Sequence, residues 1–192
     1  VGTDNDLTAL YASRQNLSKE KGQAKVVLVN SNFADIKNVC EENGITEVDG
    51  ILLDLGVSSY QLDEGERGFS YKHDAVLDMR MNVQNKLNAK IIVNEYSEEQ
   101  LKNIIKDYGE EKWAARIASF IVRRRTEESI ETTGQLVDII KAAIPSSARR
   151  EGPHPAKGTF QAIRIAVNNE LGVLKQVIED GFSILNSKGR FV

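Results

Sequence analysis

The sequence predicts an α/β fold built on a parallel sheet, with an all-helical domain inserted into it. Within residues 1–56, short apolar runs alternate with amphipathic stretches, which is the pattern of strands and helices around a parallel sheet. Residues 97–143 carry helical patterns alone. A long amphipathic stretch and a strand-like run then end the 192-residue chain, so the helical part is expected to interrupt the α/β part.

Strand and helix patterns follow one another through the first 56 residues. A strand ending at Thr3 precedes a helix over Leu7–Gln15. The β-rich run Lys25–Val29 precedes a second helix over Ala34–Asn43. A short apolar strand, Asp49–Leu53, then leads into an acid and a glycine. Because ligands bind beyond the carboxyl ends of parallel strands, the residues that follow each strand are the first candidates for a site.

Three helices are predicted between residues 97 and 145. Ser97 and Gln100 form a capping box, in which each side chain accepts from the other residue's backbone N–H. Gly109 can end that helix in the left-handed conformation. The second helix ends on Arg123–Arg125, where the helix dipole favours cations. The third helix opens at Thr132 and stops before a proline.

Two further segments complete the predicted organisation. Residues 57–94 are polar and carry no clear pattern, and an irregular run of this length is usually either functional or disordered. Phe160–Leu185 has apolar residues every three or four positions and predicts one amphipathic helix of about seven turns. Asn186–Gly189 then leads into the final strand. The predicted domains are residues 1–82 and 158–192 for the α/β part and residues 83–157 for the helical insertion.

Positive charge is concentrated in the middle of the chain. The net charge is −3, yet residues 111–165 carry ten Lys and Arg against six Asp and Glu. Clustered cations contact nucleic-acid phosphates, so a polyanion is expected to bind there. A solvated helix face is the alternative. The candidate polyanion-binding cations are Arg123, Arg124, Arg125, Arg149, Arg150 and Lys157.

Composition excludes several classes of protein. The single cysteine, Cys40, rules out an internal disulfide and fits the cytoplasm, and its helical context predicts a buried side chain. No apolar run approaches the roughly 20 residues of a membrane span, and no signal peptide is visible. His73 and His154 are too isolated for a zinc site. Neither a membrane nor a metal is expected as a partner.

Two side chains beyond the predicted strands are candidate cofactor contacts. An acid such as Asp4 at the end of a strand commonly accepts from a ribose hydroxyl, and a carboxylate offers two acceptors to a diol. The alternative is that Asp4 or Asp6 caps the following helix. Phe33 lies after the second strand, where it either contacts an adenine ring or packs under the sheet.

The segment Asp54–Ser59 is the most specific of these features. Asp54 directly follows a buried strand, and Ser58 and Ser59 add hydroxyl groups. The carboxylate can accept a hydrogen bond from an amine of a cofactor or a substrate, and the alternative is that it only caps the loop.

Two charged segments remain. His154–Arg164 combines a turn, cations and a helix start, and such a start binds anions through free backbone N–H groups. Ordinary capping by Thr159 is the alternative. The acids near Arg67 and in the run Leu77–Met81 predict ion pairs that order the loop rather than a metal cluster.

Five blocks, taken together, resemble the bacterial 16S rRNA (cytosine-N4)-methyltransferase family, the ribosomal small-subunit methyltransferase H proteins. The resemblance spans nearly the whole chain in the expected order. The blocks are Leu53–Asp63, Glu66–Ser70, Leu77–Met81, Tyr108–Glu111 and His154–Glu170.

This resemblance implies a Rossmann-like domain with a helical insertion, S-adenosylmethionine as methyl donor, and 16S rRNA in the decoding region of the small subunit as substrate. It implies cofactor contacts at Asp4, Phe33, Asp54 and Gln61. Asp54 would also accept from the target amine during methyl transfer. Ser58, Ser59 and the basic insertion are inferred to face the cytosine and the RNA. The oligomeric state stays open, with a homodimer as one alternative.

Two blocks of the family pattern are absent from this sequence. The family's glycine-rich loop would precede Val1, and its Phe-His-Ser-Leu-Glu-Asp block would follow Val192. Both ends of the chain are therefore expected to be cuts through a larger domain. The alternatives in function are a nicotinamide enzyme, a methyltransferase acting on DNA or protein, and a non-catalytic RNA-binding module.

Overall fold

A computed structural model describes residues 1–19, 22, 24–58, 65–149 and 153–192 of the chain. These residues form two compact units, Val1–Gly56 with Glu170–Val192 and Val57–Asn169. The predicted α/β composition is confirmed, whereas the Rossmann-like sheet with a helical insertion stays a prediction. The predicted domains, residues 1–82 with 158–192 and residues 83–157, have different bounds from these two units and stay a prediction as well.

The described residues contain strands, α-helices and two 3₁₀ turns. In chain order they are β1 (Gly2–Asp4), α1 (Leu7–Leu17), β2 (Leu28–Asn30), a 3₁₀ turn (Phe33–Asp35), α2 (Ile36–Glu42), β3 (Val48–Ile51), a 3₁₀ turn (Gly65–Arg67), α3 (Ala89–Glu95), α4 (Glu98–Gly109), α5 (Ala114–Glu127), α6 (Thr133–Ala143), α7 (Lys157–Asn168), α8 (Glu170–Ile184) and β4 (Leu185–Phe191). Among them, no helix is both long enough and apolar enough to cross a membrane.

The strands of the first unit pair in parallel, as the alternating pattern predicts. β1 pairs with β2, with Asp4 opposite Asn30, and β3 pairs with β4 across a register irregularity between Val48 and Gly50. Within the described residues the hydrogen bonds link the strands in these two pairs and not in one continuous sheet. The second strand begins at Leu28, later than the predicted Lys25.

The first unit buries a small core between its helices and the β3–β4 pair. α8 packs against α2 and the Phe33–Asp35 turn. Cys40, Ile51 and Ile184 form the core cluster. Burial of the Cys40 side chain, predicted from its helical context, is confirmed. Removal from water also raises the pKa of the Cys40 thiol.

The second unit is a helical bundle with a larger core. α4 packs on α5 and α7, α5 packs on α6, and α3 lies against α5 and α7. Burying a large aliphatic side chain stabilises a fold by roughly 1.5–3 kcal/mol, so this core accounts for much of the stability of the unit. Its fully buried side chains include Leu77, Ile92, Leu101, Ile105, Ile117, Ile121, Leu136, Ile140 and Ile163.

Local capping chemistry sets the helix starts, and one predicted cap is wrong. The capping box of Ser97 with Gln100 is confirmed, and Thr132 forms a second one with Gln135. The left-handed residue after α4 is Glu110, at φ 49°, and not Gly109. Glycine is required at 109 for another reason: a Cβ there would lie 2.5 Å from the carbonyl oxygen of Gly158.

The single long helix predicted over Phe160–Leu185 is wrong. Asn169 adopts the left-handed conformation, φ 49°, and separates α7 from α8. Asparagine tolerates this conformation better than most residues. The apolar spacing continues across the break because each helix has its own buried stripe, and each stripe lies in a different compact unit. The strand β4 begins directly at Leu185, so the predicted connection over Asn186–Gly189 lies inside it.

The segment predicted to be irregular, residues 57–94, contains ordered structure that periodicity did not reveal. It includes a 3₁₀ turn and α3, whose start is capped by Asn88 accepting from the Ile91 N–H at 2.9 Å.

Asn168 of α7 holds the loop before α3. Its amide oxygen accepts from the Met81 N–H at 2.8 Å, and its amide nitrogen donates to the Met79 carbonyl at 2.8 Å.

Replacing Asn168 with alanine is expected to lower the free energy of unfolding by about 2–3 kcal/mol, because it leaves a partly buried N–H and carbonyl without partners. Urea denaturation measures the change. Asn103→Ala is the control, because Asn103 is exposed on α4 and surface changes stay within about 0.5 kcal/mol. Equal stability of the two variants would contradict the anchoring role.

Candidate functional site

Asp4 presents a carboxylate at the carboxyl end of β1. Its side chain is exposed, and one oxygen, Oδ1, accepts from the Asp6 N–H at 2.7 Å. Its backbone carbonyl accepts from Asn30 Nδ2 at 2.9 Å and from the Ser31 N–H at 3.2 Å, so the residue is tied to the end of β2. In the described part of the chain, Oδ2 has no hydrogen bond and is left to accept from a ligand hydroxyl.

Capping of α1, the alternative role for these acids, belongs to Asp6. Asp6 is buried and its Oδ1 accepts from the Thr8 N–H at 3.0 Å. Asp4 lies two residues earlier and is not the capping residue. This division leaves Asp4 compatible with the ribose-binding role, which stays a prediction.

Phe33 begins the 3₁₀ turn that follows β2. Asn32 fixes the start of that turn by accepting from the Ala34 N–H at 2.9 Å. The Phe33 ring is half-buried and does not belong to the core cluster formed by Cys40, Ile51 and Ile184. Phe33 follows Asn30, the residue opposite Asp4 in the β1–β2 pair, by three positions. An adenine contact by its ring also stays a prediction.

Asp54 lies in an exposed loop after β3. Pairing with the last residues of the chain continues past the strand, because Leu53 donates to the Val192 carbonyl at 2.8 Å and Val192 donates to the Ile51 carbonyl at 2.9 Å. Gly56, at φ 94°, turns the chain shortly afterwards. Among the described residues the Asp54 carboxylate has no hydrogen bond or ion pair, so the loop-cap alternative gains no supporting contact there.

Of the other predicted site residues after Asp54, the structure describes Ser58 but not Ser59 or Gln61. Ser58 is described and exposed, and it belongs to the second compact unit, whereas Asp54 belongs to the first. Ser59 and Gln61 lie outside the described residues, as does Arg150. Their predicted roles stay predictions.

The predicted RNA-binding cations occupy different environments. Arg123, Arg149 and Lys157 are exposed. Arg124 forms ion pairs with Glu127 at 3.3 Å and Glu128 at 3.0 Å.

The third arginine of the run, Arg125, has an intramolecular partner as well. Its guanidinium donates to the Val93 carbonyl at 2.8 Å, which links α5 to α3. RNA binding by Arg124 and Arg125 therefore has to compete with contacts inside the protein.

Two exposed cations of the same helix region, Lys112 and Arg116, were missed by the sequence analysis. Arg116 precedes Arg123 by seven positions, close to two helical turns, and Lys112 lies in the turn just before α5. The seven-residue spacing is the signal in the sequence that places Arg116 on the same side of the helix as Arg123.

The start of α7 offers no side-chain cap. Ala156 is the N-cap residue, and its N–H donates to His154 Nδ1 at 3.2 Å. The alternative of capping by Thr159 is wrong, because Thr159 is fully buried inside the helix.

His154 stacks on Tyr71 with ring centroids 4.5 Å apart. Burial and the charge of Lys141 lower the pKa of His154.

The ion pair predicted within Leu77–Met81 is confirmed, whereas those predicted for the acids near Arg67 stay a prediction, since Asp63 and Glu64 lie outside the described residues. Arg80 binds Asp78 through two nitrogens, Nε at 2.7 Å and Nη2 at 2.8 Å. Arg67 donates to the carbonyls of Arg80 and Met81 at 2.8 and 2.9 Å. In the part of the chain that is described, no cluster of three His, Cys, Asp or Glu residues could hold a metal ion.

The Asp78 pair predicts an acid-dependent loss of stability. Burial raises the pKa of the Asp78 carboxyl, but hydrogen bonds from Arg80 and the charges of Arg80 and Arg67 leave it below its ordinary value. A lowered pKa stabilises the fold above the unfolded pKa of about 3.9, and this contribution is lost as the pH falls through the folded value. Asp78→Asn should therefore destabilise the protein at pH 7 and much less at pH 3. Urea midpoints at both pH values measure this, and an equal loss at both would refute the ionic contribution.

Comparison with known proteins identifies the family. A family model described as the MraW methylase family matches residues 1–192. This chain belongs to the MraW methylase family. The resemblance predicted from the five sequence blocks is thereby confirmed.

Curated relatives of this MraW methylase chain carry one shared name, Ribosomal RNA small subunit methyltransferase H. The protein of Acetivibrio thermocellus is 64% identical over 191 residues, covering 100% of this chain and 61% of the relative. That of Ruminiclostridium cellulolyticum is 60% identical over 190 residues, covering 99% and 61%. That of Clostridioides difficile is 55% identical over 190 residues, covering 99% and 60%. The chain thus spans about 61% of the length of these relatives.

Proposed function

We propose that the protein containing this chain transfers a methyl group from S-adenosylmethionine to the N4 amine of a cytosine in the decoding region of 16S rRNA. The observation that carries this proposal is the match to the MraW methylase family along all 192 residues. The relatives' shared name supports a ribosomal RNA of the small subunit as substrate. The donor, the target atom and the decoding region follow from the family resemblance.

Asp4 and Phe33 are the proposed cofactor contacts on the β1–β2 side. Bound S-adenosylmethionine would supply an electrophilic methyl group. The second carboxylate oxygen of Asp4 would accept from the ribose diol, a role that suits an exposed acceptor. The half-buried ring of Phe33 would lie against the adenine. Gln61 is a further proposed contact.

Asp54 is the proposed catalytic residue, with additional cofactor contact. An amine conjugated to a pyrimidine is a poor nucleophile, because its lone pair is delocalised into the ring. By accepting one N–H of that amine, Asp54 would orient it and increase electron density on the nitrogen as the new bond forms. The absence of competing partners for the carboxylate among the described residues supports this role. Ser58 and Ser59 are proposed to contact the cytosine.

The exposed cations of the second unit are proposed to bind the RNA. Arg123, Arg149 and Lys157 are exposed, and Arg150 belongs to the same proposed set. The cytoplasm is the proposed location, and no metal or membrane enters the proposed reaction. A homodimer remains one proposal for the assembly.

One labelling experiment tests donor, substrate and target atom together. The protein at its natural length would be incubated with methyl-labelled S-adenosylmethionine and with small ribosomal subunits from cells that lack the modification, and the digested nucleosides would be separated. Label in N4-methylcytidine is expected. Label in another nucleoside would overturn the target. Absence of cofactor binding would overturn the proposal itself, and bound RNA without label would favour a non-catalytic RNA-binding module.

A further inference from the structure

The solvent-facing side of α5 and of the turn before it carries several cations, and the exposed carboxylates of this region, Glu127 and Glu128, lie at the C-terminal end of the helix, where they pair with Arg124. Residues 112–126 contain five Lys and Arg and no Asp or Glu. Ile117, Ala118 and Ile121 on the other side of the helix are buried in the core. The exposed residues in this stretch are Lys112, Ala115, Arg116, Ser119, Arg123 and Thr126. This face is therefore positive, although the whole chain has a net charge of −3.

The cations of α5 and of the turn that precedes it fall into two groups. Arg124 and Arg125 have partners inside the protein, as described above. Lys112, Arg116 and Arg123 have no ion pair and no side-chain hydrogen bond with any described residue; these three residues are named the basic face. A charged group that has no intramolecular ion pair or hydrogen bond can exchange its water shell for a ligand without breaking a contact of either kind.

Aromatic rings lie beneath two members of the basic face. The Arg116 Cζ is 5.3 Å from the centroid of the Phe120 ring, and the Lys112 Nζ is 5.8 Å from that of Trp113. Such contacts hold long side chains against the surface while the charged ends stay in water. Phe120 lies four residues after Arg116 and three before Arg123, so it belongs to the same stripe of the helix.

We propose that the basic face binds the phosphate backbone of the RNA substrate, with Phe120 as the ring that supports it. This inference rests on the proposed function, because it names the surface that would hold the ribosomal RNA. Arg116 and Arg123 are about 10 Å apart along the helix axis at 1.5 Å per residue, so they contact separate phosphates. Planar guanidinium groups bind phosphate oxygens in pairs. Neutralisation of phosphates releases counterions, which makes the binding depend on salt.

The test is the salt dependence of RNA binding by the protein at its natural length. Affinity for a 16S rRNA transcript would be measured over a series of potassium chloride concentrations for the wild type and for Arg116→Gln/Arg123→Gln. Log affinity falls as log salt rises, and the magnitude of this negative slope is named the salt slope. Each lost phosphate contact lowers the salt slope by about 1, so that of the double variant should be smaller by about 2. Adding Lys112→Gln should lower the salt slope by about 1 more.

A matched control removes the same charge from another helix of the same unit. Lys102 and Lys106 are exposed on α4. The exposed acids Glu98 and Glu99 precede Lys102 on the same helix, and Asp107 directly follows Lys106. Lys102→Gln/Lys106→Gln should leave the salt slope unchanged. Glutamine preserves helix propensity, and far-UV circular dichroism checks folding. Should the double variant fail to fold, Arg116→Gln alone should still lower the salt slope by about 1.

The outcomes separate this inference from the proposed function. A salt slope equal to that of the wild type in the basic-face variants would overturn the inference, even if methyl transfer to cytosine were observed. Equal losses of salt slope in the basic-face and control variants would also overturn it, because net charge alone would then explain the effect. A reduced salt slope with intact cofactor binding, and with methyl transfer restored at low salt, would support it. Failure of the wild type to bind cofactor would count against the proposed function and not against the basic face.

Discussion

Asp54→Asn is expected to lower the rate of methyl transfer on the order of 10²- to 10³-fold while leaving the fold intact. Removal of one pre-positioned electrostatic contact to a reacting group typically has an effect of this size. Asparagine keeps the shape of the side chain but loses the negative charge that would polarise the amine. Because Asp54 is exposed and has no partner among the described residues, its replacement should change the free energy of unfolding by less than about 0.5 kcal/mol.

The measurement is single-turnover methyl transfer to small ribosomal subunits, with cofactor affinity determined separately. Glu47→Gln is the matched control, since Glu47 is an exposed acid immediately before β3. Turnover by Asp54→Asn at the wild-type rate would refute the catalytic role. A loss of cofactor affinity with an unchanged rate at saturation would instead restrict Asp54 to cofactor binding.

Gly68→Ala is expected to destabilise the second unit by about 3 kcal/mol or more. Gly68 is buried at φ 70°, and a Cβ there would overlap the carbonyl oxygen of Val76 and lie 3.1 Å from the Asp78 nitrogen. The left-handed conformation costs an alanine about 1–2 kcal/mol, and overpacking adds about 1–3 kcal/mol. The turn cannot relax easily, because the adjacent carbonyl of Arg67 accepts from the Met79 N–H at 3.1 Å.

Gly44→Ala separates the two contributions. Gly44 has nearly the same φ, 71°, but a Cβ there would meet no atom within 4 Å. It should therefore lose only the conformational part, about 1 kcal/mol. Urea denaturation followed by circular dichroism measures both variants. If Gly68→Ala lost no more stability than Gly44→Ala, the steric argument would be wrong.

Elements that depend on neighbours in the chain were predictable from sequence. The capping boxes that begin at Ser97 and Thr132 each join two side chains three residues apart. The apolar stripe of α4 follows from helical spacing alone. Asp4, Phe33 and Asp54 were located after strands by the same local patterns. Asp4 is the last residue of β1, and Phe33 and Asp54 follow β2 and β3, so each lies at the expected end of its strand, although the hydrogen bonds link the strands in two pairs.

Elements that depend on contacts between distant residues were not predictable. The apolar period of Phe160–Leu185 continues through Asn169, so a single sequence cannot reveal that the two halves serve different cores. Likewise, α3 is short, and its order depends on partners such as Arg125, whose guanidinium binds the Val93 carbonyl from 32 residues away. The same contact distinguishes Arg125 from the exposed Arg123, a difference that consecutive arginines in a sequence do not show.

The sequence by itself determined the family, the alternation of strands and helices in the first part, the helical middle and the candidate acids. These depend on residue identity, short-range spacing and capping, which act within one or two turns of chain. The tertiary structure alone decided which cations have partners, why glycine is needed at 68 and 109, and where the last long helix breaks. Those properties arise from close approach of residues far apart in sequence, where packing and hydrogen-bond satisfaction outweigh local preference.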